Sequence, residues 1–169
     1  GRIDNIFIDP ASPRENRYVY IFTDIGLYAG HVNSPELTRM NYPVGVEYIL
    51  DSGWGVNPET NKPVFYITSH SAWQGGIFNT GVWKSTDCGH TWKQLEKGLY
   101  EGISGPETGK LPVYKLIAPC ERDARTVYLS VRGFPQKTGH SVTTYAGIFR
   151  SEDEGETWKW VLKGMDPTV

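Results

Sequence analysis

The stretch GVWKSTDCGHTW, Gly81 to Trp92, returns as GIFRSEDEGETW, Gly147 to Trp158. Both copies carry S-x-D-x-G-x-T-W: Ser85, Asp87, Gly89, Thr91 and Trp92, then Ser151, Asp153, Gly155, Thr157 and Trp158. Duplication of such a segment means that the chain repeats one supersecondary unit. The residue types suit a tight hairpin. Asp87 and Asp153 can accept hydrogen bonds from backbone N–H groups of their own turn. Gly89 and Gly155 supply a positive φ. Ser85, Ser151, Thr91 and Thr157 can bond across the neck. Trp92 and Trp158 open the next strand and can pack between neighbouring sheets. A lone carboxylate in such a turn serves the turn rather than catalysis or calcium.

Working outward, helical periodicity is nearly absent. Short β-branched and aromatic runs recur, separated by turn residues. Strands are expected at 3–9, 18–23, 26–30 and 37–40, at 46–50, 64–69, 81–85 and 92–96, and at 113–118, 126–131, 147–151 and 158–162. Gly26-Leu27-Tyr28, Gly81-Val82-Trp83 and Gly147-Ile148-Phe149 mark the third strand of each unit. The units run 1–43, which lacks the repeated motif, 44–105 with the motif at 85–92, and 106–169 with it at 151–158. Four-stranded units at this spacing suit β-propeller blades. Three blades are too few to close a ring, so the expected fold is all-β, a fragment of about three antiparallel blades of a larger propeller. A stand-alone β-sandwich is the competing architecture.

The formal charge of −2 gives no basic excess for nucleic acid. No apolar run approaches the ~20 residues of a membrane span. No charged-then-apolar leader opens the chain, so a signal peptide is absent or already removed. Cys88 and Cys120 are too few for a disulfide framework, and whether they pair stays open. His31, His70, His90 and His140 lie far apart, without metal-ligand spacing, so neither metal nor cofactor is expected. The acidic run Glu152 to Glu156 reads as a solvated hairpin tip.

The repeated segment resembles the Asp-box, or BNR repeat, at all five fixed positions, twice. Propellers with this repeat include sialidases, xyloglucan-cleaving glycoside hydrolases, sortilin-type receptors and a photosystem II assembly factor. The resemblance implies that the motif is structural and lies opposite the ligand face. That face would carry the loops at 68–80, 99–111 and 132–145. His70, Trp73, Gln74, Arg132, His140 and Tyr145 are the ligand-binding candidates there, with rings to stack on sugars and polar groups to bond hydroxyls.

Glycoside hydrolysis generally needs two carboxylates flanking the bond. Asp24, Glu101 and Glu107 lie on the expected ligand-face loops, but nothing in the sequence fixes a pair. Residues 2–10, RIDNIFIDP, are similar to a segment of the xyloglucan-cleaving hydrolases in which an Asp before the D-P pair is catalytic. Asp4 takes that place, although the aromatic that precedes it there is missing. A sialidase reading needs an arginine cluster, and only Arg132 falls clearly in a ligand-face loop. The resemblance thus implies an extracellular, periplasmic or cell-surface binding module for carbohydrate, as part of a glycoside hydrolase. The alternative is a non-catalytic propeller that binds protein. In either case the remaining blades would come from the same or an associated chain.

Overall fold

The computed structural model describes residues 1–43, 46, 48–70, 81–99, 113–132, 136–138, 141–143 and 147–163. The fold is all-β, a propeller fragment of three four-stranded antiparallel sheets. The first sheet holds β1 (Ile3–Ile8), β2 (Tyr18–Thr23), β3 (Gly26–His31) and β4 (Thr38–Arg39), with one 3-10 turn at Arg14–Asn16. The second holds β5 (Tyr48–Val56), β6 (Pro63–His70), β7 (Gly81–Ser85) and β8 (Lys93–Gln94). The third holds β9 (Val113–Cys120), β10 (Asp123–Arg132), β13 (Gly147–Ser151) and β14 (Lys159–Lys163). A separate hairpin, β11 (Gln136–Thr138) and β12 (Ser141–Thr143), stands within the segment expected to be loop.

Alternation explains the layering. Along β1, Phe7 is buried while Ile6 and Ile8 are exposed, because successive side chains leave a strand on opposite faces. Phe7, Tyr20 and Phe22 of the first sheet meet Phe65 of the second at 5.3, 5.1 and 5.1 Å between ring centroids. On its other face the second sheet sends Val64, Tyr66 and Val82 into a cluster with Ile117, Val127, Leu129 and Phe149 of the third.

One expected strand differs. The inner strand of the second sheet reaches Val56 rather than ending near residue 50. Gly53 and Gly55 weaken the strand signal, but the packing requires them. A Cβ on Gly53 would lie 2.5 Å from Pro119 Cδ, and one on Gly55 would lie 2.4 Å from the Cys120 carbonyl. This close approach lets Val56 N–H donate to the Glu121 carbonyl at 2.9 Å, between sheets. Nearby, Tyr66 Oη donates to the Ala124 carbonyl at 2.7 Å.

The two repeated hairpins have matching geometry. Asp87 Oδ1 accepts from Thr91 N–H and Ser85 Oγ, both at 2.8 Å, and Oδ2 accepts from Thr91 Oγ at 2.5 Å. Asp153 makes the same three bonds with Thr157 and Ser151, at 2.8, 2.8 and 2.5 Å. Ser85 and Ser151 Oγ accept from Gly89 and Gly155 N–H at 2.8 and 2.7 Å. Both glycines have positive φ, +88° and +79°. Cys88 and Glu154, one residue earlier, also stand at φ 57°.

Each hairpin grips the sheet before its own. Gly89 abuts Leu27, and Trp92 Nε1 donates to the Asn41 carbonyl at 2.9 Å. Gly155 abuts Leu95, and Trp158 N–H donates to the Lys97 carbonyl at 3.0 Å. The chemistry of the two grips differs. Buried Lys84 pairs with Glu156 at 2.7 Å and Glu154 at 3.6 Å, and Lys93 pairs with Glu156 at 2.6 Å. Asn57 also donates to Glu154. Within the acidic run, Glu154 and Glu156 are therefore interface residues between sheets, whereas Glu152 and Asp153 are exposed. At the other grip, Ala29 stands in the place of Lys84 and Cys88 in the place of Glu154, and Cys88 packs in one apolar cluster with Tyr20 and Ala29. Cys88 and Cys120 are both free thiols.

Two predictions follow from these contacts. Gly55→Ala should destabilise the protein by about 1–3 kcal/mol in chemical denaturation, because the new methyl meets the Cys120 carbonyl and the Ala124 backbone of the third sheet. The second concerns acid. Burial alone would raise Asp87 and Asp153, but the bonds from Thr91, Thr157, Ser85 and Ser151 prevail and hold both below the usual 3.8. A carboxyl lowered by folding stabilises the native state when ionised. That contribution is complete above its unfolded value and is lost as pH falls through the native one. Acid titration of stability should therefore be shallower in the Asp87→Asn, Asp153→Asn double variant, with the difference confined to pH below about 4.

Candidate functional site

The three inner strands share one irregularity. Ile3 pairs with Thr23 and Asn5 with Phe22, so Asp4 is an extra residue. Ile49 and Asp51 pair with Ser69 and Thr68, leaving Leu50 extra. Tyr114 and Leu116 pair with Val131 and Ser130, leaving Lys115 extra. Bulges of this kind bend a strand and re-aim a side chain. Here they fall near the start of each inner strand, at corresponding depth, and display a carboxylate, an aliphatic side chain and an ammonium.

Arg2 ties the first two bulges together. Its Nε donates to Asp4 Oδ1, and its Nη2 donates to the Leu50 carbonyl at 3.2 Å. Its backbone N–H donates to Asp24 Oδ1 at 2.8 Å, which brings the β2–β3 turn to the same face. The Asp4 side chain is only 8 % exposed, although that of Arg2 is 63 % exposed. Asp4 Oδ2 is buried and accepts no hydrogen bond from the described residues. Such an orphaned carboxylate oxygen is uncommon and calls for an explanation.

The residue after each of the first two bulges tethers the neighbouring sheet. Asn5 Nδ2 donates to the Ser52 carbonyl at 3.2 Å. Asp51 Oδ2 accepts from Ile117 N–H at 2.8 Å. Burial pushes the Asp51 carboxyl above its ordinary range against the pull of that hydrogen bond, and the Asp4 charge pushes the same way. Tyr42 closes the outer side, its hydroxyl donating to the Thr23 carbonyl at 3.1 Å. Burial, then the Asp4 charge, raises the Tyr42 phenol.

Of the residues singled out in the sequence, Asp4 and Asp24 meet at this face through Arg2. Asp51 escaped notice because it falls just beyond the expected end of its strand; an acid inside an apolar run was the available signal. Trp73, Gln74, His140, Tyr145, Glu101 and Glu107 lie outside the described residues. His70 and Arg132 end β6 and β10, and their side chains also lie outside what is described. Asp87 and Asp153 belong to the hairpins, with their oxygens spent on Ser and Thr.

No protein-family model matches the chain, and no curated protein does. Its fold is similar to that of solved glycoside hydrolases. A GH74 enzyme from Niastella koreensis superposes with a TM-score of 0.58 at 14% identity, over 94% of this chain and 22% of that one. The GH74 xyloglucanase from Xanthomonas campestris gives 0.56 at 17% identity, over 93% and 21%. The chain thus spans about a fifth of the length of these structures. Among the described residues, no helix is long and apolar enough to cross a membrane.

Asp51 gives a test of the tether. Ionised, it costs the fold stability once pH exceeds its unfolded value, since folding raises its pKa. Asp51→Asn keeps an acceptor for Ile117 N–H without the buried charge, and should match or exceed the parent in thermal stability at pH 7. Asp51→Ala strands the Ile117 N–H and should cost about 1–3 kcal/mol.

Proposed function

We propose that this chain is part of a larger Asp-box propeller that binds carbohydrate where the inner strands begin. In this reading Asp4 is the carboxylate that meets the sugar, and the propeller belongs to a glycoside hydrolase. The reading rests on Asp4: a carboxylate paired with Arg2, set on a bulge, with one buried oxygen that no described residue engages. A carboxylate so placed suits a general base or a stabiliser of developing positive charge at a sugar carbon. His70, Trp73, Gln74, Arg132, His140 and Tyr145 would then surround the sugar from the loops beyond β6 and β10.

The names of the fold neighbours support the substrate class, since one of them is a xyloglucanase. The larger propeller is supported by the outer sheets. Ile6 and Ile8 of β1, and Leu116, Tyr128 and Val161 of the third sheet, are exposed on faces turned away from the second. Faces of that kind suit burial against further blades. Blades at 1–43, 44–105 and 106–169 would be consecutive members of the ring. The protein would work outside the cell, in the periplasm or at the cell surface, where polysaccharides are met.

The test uses the full-length protein with xyloglucan and a panel of plant and microbial glycans, reading both binding and release of reducing ends. Release should fall at least ~100-fold in Asp4→Asn, with thermal stability retained. Neither binding nor release by the parent protein, across the panel, overturns the carbohydrate reading. Release unchanged in Asp4→Asn removes Asp4 from the chemistry.

A further inference from the structure

A second cleft lies between the first and second sheets, with Tyr42 between it and the Asp4 face. It encloses about 510 Å³ and is lined by Asn41, Tyr42, Pro43, Trp83, His90, Thr91 and Trp92. The indole N–H groups are already committed: Trp83 Nε1 donates to Ser69 Oγ at 2.9 Å, and Trp92 Nε1 to the Asn41 carbonyl at 2.9 Å. Tyr42 likewise spends its hydroxyl on the Thr23 carbonyl. Tyr42 and Trp92 meet edge to face, with centroids 6.3 Å apart at 73°. The rings are held from behind, and all three remain partly exposed. They form an apolar platform that needs little ordering to receive a flat ligand.

The polar groups around the platform are unspent. The Asn41 carboxamide and the His90 imidazole are exposed and make no hydrogen bond with any described residue. Thr91 Oγ donates to Asp87 and keeps acceptor capacity. Among the described residues, the lining carries no carboxylate, ammonium or guanidinium. Apolar walls with a few convergent polar groups are the usual composition of a small-ligand site.

We propose that this cleft binds a pyranose ring of a neutral oligosaccharide, with its axial C–H face on the Trp83 and Trp92 rings. Its equatorial hydroxyls bond Asn41 and His90. An unbranched β-linked glucan fits this chemistry, since every substituent of its rings is equatorial and both faces are C–H. A phosphorylated or uronic-acid ligand finds no ammonium or guanidinium among the described lining residues. The cleft shares Tyr42 with the Asp4 site and none of its other lining residues. It would hold a polysaccharide to the rim of the propeller whether or not Asp4 acts on it.

The experiment uses the full-length protein labelled with fluorotryptophan, with cellotetraose as the probe and fluorine NMR as the readout. The Trp83 and Trp92 signals are assigned from Trp83→Phe and Trp92→Phe. Cellotetraose should shift both signals. The Asn41→Ala, His90→Ala double variant alters only exposed side chains and should bind roughly tenfold more weakly. Asp4→Asn should leave these shifts and the affinity as they are, which separates this cleft from the carboxylate site. If the Trp→Phe variants do not fold, the double variant still decides, through the Kd read from the remaining tryptophan shifts. Signals that cellotetraose does not move, or a Kd unchanged in the double variant, overturn the proposal.

Discussion

The fold depends on a carboxylate that is consumed by its own turn. In each repeated hairpin the Asp accepts a backbone N–H and two hydroxyls, and the Ser hydroxyl holds the glycine N–H. Most of the turn's polar groups are thereby satisfied from within it, with Glu154 N–H donating outward to the Arg125 carbonyl at 3.1 Å. A rigid tip of this kind can be pushed against the preceding sheet without burying an unpaired polar group. Gly89 and Gly155 lie at the contact itself, where a side chain would strike Leu27 or Leu95.

Because the turn is largely self-sufficient, the residues between its fixed positions are free to match whatever sheet they meet. At the first interface the filling is Cys88 in an apolar cluster with Ala29 and Tyr20. At the second it is Glu154 and Glu156 against Lys84, Lys93 and Asn57. A buried ammonium is tolerated there only because two carboxylates face it, so removing either partner would be costlier than replacing the whole set. The same backbone device thus joins sheets by two unlike chemistries.

The inner edge of the fragment follows a different rule. There the sheets approach until backbone nearly touches backbone, which requires Gly53 and Gly55. A bulge near the start of each inner strand then turns one residue out of the ladder. The following residue, Asn5 or Asp51, reaches across to the next strand. Structural tether and displayed carboxylate are adjacent in sequence, as Asp4 and Asn5 show. Distance from the hairpins leaves this edge free to vary its side chains without loosening the clips at the rim.

The sequence by itself determined the repeat, the strands and the chemistry of the hairpin. A period-two pattern and an S-x-D-x-G-x-T-W turn are local, and local hydrogen bonds decide them. It also pointed to Asp4. It misread the inner strand of the second sheet, because glycine lowers strand propensity wherever it occurs, and only the neighbouring sheet supplies the reason for Gly53 and Gly55. It misread Glu154 and Glu156, whose partners Lys84 and Lys93 are distant in sequence. The bulges, the link from Arg2 to both Asp4 and Leu50, and the place of Asp51 were decided by the tertiary structure alone. Each depends on how one strand registers on its partner or on the sheet beside it, and neither leaves a periodic trace in the chain.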